Sequence, residues 1–199
     1  MQTILRCAIV SLLTVAGVAQ ETARRPTTEI VLLGTGMPYP DPNSSGPATA
    51  VVIGTRVLLF DAGPGVMRRI KAANLRLSGP EALFITHLHS DHTLGYPDLI
   101  LTSWIMRRAS PFAVYGPRGL RRMTNHLLAA YSEDIKIRTE GLEREVPGGY
   151  RVNVREIREG VVYERDGVRV TAIRVPHGNW KDAFAYRVDT SDRIDCDFG

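Results

Sequence analysis

From Glu29 onward the chain alternates short apolar runs with breaks rich in Gly and Pro, and amphipathic stretches are inserted between some of the runs. That rhythm predicts mixed α/β structure from one end to the other. Ile30 to Leu33 reads as a strand closed by Gly34-Thr35-Gly36, followed by a polar loop from Met37 to Pro47. Ala48 to Ile53 and Arg56 to Phe60 have the pattern of a hairpin turning at Gly54-Thr55, which leaves Asp61 directly at a strand end. Pro64 and Gly65 open a helix carrying Val66, Ile70 and Ala73 on one face, with Asn74 as its terminator. Ala82 to Thr86 is a buried-type strand, and Pro97 to Arg108 reads as a helix with Pro in its first turn and arginines in its last.

The second half repeats the rhythm. Phe112 to Tyr115 is a strand, and Leu120, Met123, Leu127 and Ala130 mark a helix face. Tyr150 to Ile157, Val161 to Tyr163, Val168 to Val175 and Phe184 to Val188 are strands, the middle pair joined across Asp166-Gly167. No repeat period or linker divides the chain.

Composition narrows the class. At 199 residues, 44% hydrophobic and 23% charged, the chain suits one globular domain rather than a disordered or fibrous one. The net charge of +4 is spread over interspersed residues, so it marks no nucleic-acid-binding tail. Its two cysteines, Cys7 and Cys196, stand near opposite ends, which rules out a Cys-rich zinc site and leaves His and carboxylate as metal ligands. Residues 1–19 have the pattern of an export signal: Arg6, an apolar or small run from Cys7 to Val18, and a small-residue cleavage site ending at Ala19. The expectation is therefore a periplasmic or secreted protein with no membrane span, whose single domain occupies residues 20–199.

The candidate chemistry lies in Thr86-His87-Leu88-His89-Ser90-Asp91-His92, immediately after an apolar strand. His87 and His89, two apart on an extended segment, project to the same side and can hold one cation. Asp91 and His92 follow a turn and reach a neighbouring point, an arrangement suited to two ions about 3.5–4 Å apart. His177, at the end of the Val168 to Val175 strand, fits a third ligand to the first ion. Imidazole and carboxylate ligands suit Zn²⁺, with Mn²⁺ or Fe as alternatives.

HLHSDH at His87 to His92, with LLGTG at Leu32 to Gly36, SGPAT at Ser45 to Thr49 and LLFDAGPG at Leu58 to Gly65, resembles the metallo-β-lactamase superfamily. VYGPRG at Val114 to Gly119 and VPHG at Val175 to Gly178 place the resemblance in the ribonuclease Z and arylsulfatase-like branch. It covers Thr28 to Asp192. The resemblance implies an αββα sandwich with metals on loops at one edge. His87, His89 and His177 would hold one zinc, Asp91 and His92 the other, and Asp91 would accept a proton. Asp61 would hold the histidine loop by hydrogen bonds.

The implied function is an exported zinc-dependent hydrolase in which metal-activated hydroxide cleaves a phosphate or sulfate ester. Lactone or β-lactam hydrolysis is the alternative within the same fold. A small anionic ester is the expected partner, nucleic acid is disfavoured by export, and a homodimer is compatible with the resemblance.

The family pattern continues past His177 with a Gly-Asp-Thr turn and a late histidine, and neither is found between His177 and Gly199. The second metal site is thus expected to be incomplete in a C-terminally truncated domain of marginal stability. A non-catalytic zinc-binding remnant is the corresponding rival. Asp195 and Asp197 are weak substitutes for the bridging Asp.

Overall fold

The computed structural model describes residues 27–192 and 196–198; the expected export signal and Asp195 lie outside the described residues, as does the side chain of Asp197. Two sheets form the body. The first contains β1 (Thr28–Gly34), β2 (Ala48–Ile53), β3 (Arg56–Phe60), β4 (Ala82–Phe84), β5 (Phe112–Gly116) and β6 (Val152–Glu156), side by side in chain order. β1 to β3 pair antiparallel, whereas β3 to β6 are parallel neighbours. Helices α1 (Val66–Ala72), α2 (Ser90–Thr93), α3 (Tyr96–Ile105), α4 (Leu120–Ala130) and α5 (Ser132–Glu140) lie in the connections between β3 and β6. The second sheet is antiparallel, in the order β10 (Cys196–Phe198), β9 (Phe184–Asp189), β8 (Val168–Arg174), β7 (Gly160–Arg165).

Both faces of the first sheet are covered, and this explains why its strands read as continuous apolar runs. Leu59, Leu83 and Val114 pack with Val66, Ile70, Leu99, Ile100 and Leu120 of the helices. Leu58, Phe60, Ala82 and Phe84 point the other way, into a core shared with Val168, Val170, Phe184 and Tyr186 of the second sheet. An aromatic stack runs through that core: the Phe84 ring lies 5.0 Å from both Phe60 and Tyr115, with Tyr163 and Tyr186 edge-on to it. The result is a helix layer over two packed sheets, which supplies three layers of the expected αββα sandwich. β6 is an edge strand, paired with β5 alone. Among the described residues no helix is long and apolar enough to cross a membrane.

The strand readings agree with the structure to within a few residues, including the β7–β8 turn, where Asp166 and Gly167 both have positive φ (48° and 76°). Three expectations need correction. β4 ends at Phe84, so His87 and His89 lie on a loop beyond it rather than on extended strand. The helix expected over Pro97 to Arg108 ends at Ile105, since Arg107 turns into the left-handed region at φ 75°. Arg108 then folds back, buried, with its Nη2 donating to the carbonyls of Leu99 and Ile100. It is not the solvated helix-surface arginine that the pairing Arg107-Arg108 suggests.

Candidate metal centre

The loop from Ile85 to His89 leaves the C-terminal end of β4 and is tied down from both sheets. Tyr186 donates its hydroxyl to the Ile85 carbonyl at 2.8 Å, and the Phe184 N–H reaches the Thr86 carbonyl at 3.0 Å. From the first sheet, Asp61 follows β3 with φ 60°, a left-handed conformation that Asp tolerates better than most residues. This turns its carboxylate back toward the loop. Its Oδ1 accepts from the Thr86 N–H and its Oδ2 from the Thr86 hydroxyl, both at 2.8 Å.

Close backbone contacts then seat the turn carrying Asp91 and His92. The Ala62 N–H donates to the His92 carbonyl at 2.9 Å, and the Gly95 N–H to the Ala62 carbonyl at 2.8 Å. A Cβ on Gly63 would stand 2.6 Å from the Asp91 carbonyl oxygen, and one on Gly95 2.2 Å from that of Gly63. Only glycine admits such an approach at either position. Gly34 has a comparable role in the loop after β1, where a Cβ would meet the Gly46 carbonyl at 2.1 Å.

Three imidazoles converge above this base. His87 Nε2 lies 2.8 Å from His89 Nδ1, and His177 Nε2 lies 3.2 Å from the same atom. One ring nitrogen from each of the three residues falls within 4.8 Å of the other two, the spacing of ligands around a single ion. His177 comes from the loop after β8 and is brought in by a short bridge to Trp180. Asp91 and His92 form a separate pair beside the cluster: Asp91 Oδ2 is 3.7 Å from His92 Nε2, and the His92 ring is 4.2 Å from that of His87.

Hydrogen bonds fix which nitrogen of each ring is free. Asp61 Oδ2 accepts from His92 Nδ1 at 2.7 Å, and the Thr86 hydroxyl, having given its proton to Asp61, accepts from His87 Nδ1 at 2.9 Å. Both rings therefore present an unprotonated Nε2 to the cluster, the arrangement by which partners behind a ligand orient it and raise its basicity. These residues fit a divalent cation by donor type and convergence, and His87 and His92 by tautomer as well. All six residues expected at the site from the sequence, His87, His89, Asp91, His92, His177 and Asp61, are brought together. Two contributors are not among those expectations. Thr86 relays Asp61 to His87, and Trp180 donates its indole N–H to His89 Nε2 at 2.8 Å. The position of Trp180 three residues after His177 is the only sequence sign of its contact.

The charges titrate in opposite senses. Burial, reinforced by the neighbouring His92, His177 and His89, pushes His87 down to about 4. Burial opposes the charge on His92 as well, but the hydrogen bond and charge of Asp61 outweigh it and raise its pKa. In metal-free protein the neutral His87 stabilises the fold fully above pH 6.5, and that contribution is lost as pH falls toward 4, because the unfolded chain takes up the proton first. His92 has the reverse sign: its contribution is fully present below pH 6.5 and fades as pH rises through its elevated pKa. Between pH 6.5 and 4.5 the His87 loss is therefore expected to dominate. Urea unfolding in EDTA at those two pH values should show lower stability at pH 4.5, with a smaller drop in His87→Gln; equal drops would refute the assignment.

Three histidines, with a carboxylate–histidine pair alongside, thus gather on loops at one edge of packed α/β layers in the manner of a site for a divalent metal. Residues 56–194 match the family model of the beta-lactamase superfamily domain, and the chain belongs to that superfamily, in its ribonuclease Z branch. Ribonuclease Z of Mycobacterium marinum is 36% identical over 164 residues, covering 81% of this chain and 58% of the relative. Ribonuclease Z of Mycolicibacterium paratuberculosis is 37% identical with the same coverage of both chains. The chain thus spans just under three-fifths of the length of these relatives. Among solved structures, the short form of human tRNase Z superposes with a TM-score of 0.65 at 22% identity, over 83% of this chain and 65% of that one. The metallo-beta-lactamase fold protein YhfI from Bacillus subtilis gives 0.60 at 12% identity, over 81% and 58%. These two likenesses establish the fold.

Proposed function

We propose that the protein is a zinc-dependent phosphodiesterase of the ribonuclease Z kind. His87, His89 and His177 hold one ion, and Asp91 and His92 contribute to a second. The observation carrying this reading is the convergence of the three imidazole nitrogens, in a chain whose curated relatives are ribonucleases by name. Three neutral imidazoles with a nearby carboxylate favour zinc over manganese or iron. When bound, the ions polarise the ester and bring the acidity of water toward neutral pH. Asp91 takes the proton from the attacking water, a role open to a carboxylate beside the ligand cluster. Asp61 holds the tautomers of His87 and His92, and the backbone of Gly63 and Gly95 holds the Asp91 turn.

The relatives favour an RNA phosphodiester over the sulfate esters, lactones and β-lactams that the same site chemistry would admit. The export pattern over residues 1–19 favours a small phosphodiester met outside the cytoplasm, and it is the one observation for that second reading. Elemental analysis of the purified chain, with turnover of bis-p-nitrophenyl phosphate, p-nitrophenyl sulfate and a precursor tRNA, tests both. Bound zinc and phosphodiester turnover are expected, both lost in His89→Ala, with sulfate turnover absent. Cleavage of the tRNA selects the first substrate and its resistance the second. Zinc without any turnover would instead identify a non-catalytic binding domain.

A second readout is independent of turnover. The indole N–H of Trp180 is received by His89 Nε2, so the His89 proton sits on Nδ1, the very atom that faces the other two histidines. Ligation at Nδ1 moves the proton to Nε2 and sets two donors against each other. Zinc addition should therefore shift tryptophan emission, and Trp180→Phe should abolish the shift because the remaining Trp104 is fully buried elsewhere.

A further inference from the structure

At the opposite end of β4 from the histidine loop, a cleft of about 560 Å³ opens between the β2–β3 turn, the segment leading into β4 and the segment leading into β5. Its lining carries Arg56, Arg76, Arg107, Arg108 and Arg165 against one carboxylate, Glu81. No residue of the metal centre contributes to it.

Glu81 is already committed. It pairs with Arg56 Nε at 2.8 Å and with Arg165 Nη1 at 3.2 Å, and it accepts the Tyr163 hydroxyl at 2.6 Å. Asp166 lies near the same two arginines, 3.9 Å from Arg56 and 3.2 Å from Arg165. The positive excess therefore falls on the other side of the cleft. Arg107 is 74% exposed, with only a 3.8 Å approach to Glu145, and Arg76 is exposed, its guanidinium making no hydrogen bond or ion pair among the described residues.

Arg108 is the unusual member. It is 7% exposed, its guanidinium lies 4.1 Å from the centre of the Phe112 ring, and its charge meets no carboxylate. Nη2 reaches two helix carbonyls and the Ser103 hydroxyl, while Nε and Nη1, both buried, have no partner among the described residues. Burial lowers its pKa to about 10. A buried cation with unsatisfied donors is unfavourable unless a counter-charge completes it. Gly79, at φ 89°, lets the chain pass close to this guanidinium: a Cβ there would stand 3.7 Å from Arg108 Cζ and 3.0 Å from Ser103 Cβ.

We propose that this cleft is a binding site for a phosphate-bearing anion of nucleoside diphosphate size, its phosphates held by Arg76 and Arg107 over the unpaired charge of Arg108. Planar guanidinium forks match phosphate oxygens in pairs, and the volume lies in the range of small-molecule sites. The hydroxyls of Ser78 and Ser110 also line the cleft and supply neutral donors.

The test is calorimetric titration of the full chain carrying His89→Ala, in EDTA, with ADP, inorganic pyrophosphate and adenosine. Removing metal and ligand from the histidine cluster takes binding there out of the measurement. ADP and pyrophosphate are expected to bind at one site per chain and adenosine not to bind. Arg76→Glu with Arg107→Gln, both at exposed positions, should weaken binding at least about tenfold, and the unfolding midpoint measured alongside shows that the double variant is folded. Absence of saturable binding, adenosine binding as well as ADP, or equal affinity in the double variant would overturn the proposal. Success or failure here is independent of the phosphodiesterase reading, which the metal and turnover measurements address separately.

Discussion

Replacing Asp91 by asparagine is expected to lower phosphodiester turnover by a factor of roughly 10² to 10⁴, the usual worth of a positioned general base. The substitution is nearly isosteric, and the position is set by backbone rather than by the side chain. The Asp91 carbonyl is seated against Gly63, and the turn is held through Ala62 and Gly95. Asparagine therefore occupies the same place without a basic oxygen. The three nitrogens that converge on one point belong to His87, His89 and His177, so the ion they hold should remain. Turnover of bis-p-nitrophenyl phosphate, with metal content by elemental analysis on the same samples, separates the two effects. Retained turnover would remove Asp91 from the proton transfer, and loss of all metal would show that it is needed to hold the first ion.

The strands and the ligand set are legible in the sequence because both are local signals. An apolar run bounded by Gly or Pro reports a buried strand, and the HLHSDH segment packs four side chains able to ligate a metal into six residues. What escapes such a reading has no local signature. α5 (SEDIKIRTE) buries little beyond Ile135 and is polar around its circumference, so it offers no helical period. α2 is one turn long and shaped by contacts with Ala62 and Gly95 on either side of it. The Trp180–His89 contact spans 91 positions, and the Asp61–Thr86 relay joins a strand end to a loop 25 residues away. Arg108 is hidden for a related reason. Adjacent arginines at a helix end look alike in sequence, and only the left-handed turn at Arg107 sends one to solvent and the other into the core.

That relay makes Asp61 the residue whose loss should reach furthest. Asp61→Ala is expected to cost about 3–5 kcal/mol, since it removes a buried acceptor and orphans several hydrogen bonds at once. The Thr86 N–H and hydroxyl and His92 Nδ1 all lose their acceptor. Alanine must also adopt φ 60°, which costs an L-residue lacking a polar side chain roughly 1–2 kcal/mol more than asparagine or aspartate. Asp61→Asn separates these contributions. It tolerates the backbone and keeps an acceptor for the Thr86 N–H, but its amide faces the Thr86 hydroxyl and His92 Nδ1 with a donor. The expected cost is about 1–3 kcal/mol, the penalty of unsatisfied buried groups. Metal affinity should fall roughly 10- to 100-fold in both variants, because neither His87 nor His92 is then held with Nε2 unprotonated. Urea unfolding in EDTA and zinc competition against a chelator measure the two quantities, and an NMR titration adds a third. With the Asp61 carboxylate gone, burial of His92 is opposed by Asp91 alone, and its pKa should drop below that of the wild type. If affinity and the His92 titration were both unchanged in Asp61→Asn, Asp61 would be a fold-stabilising residue that does nothing to prepare the ligands.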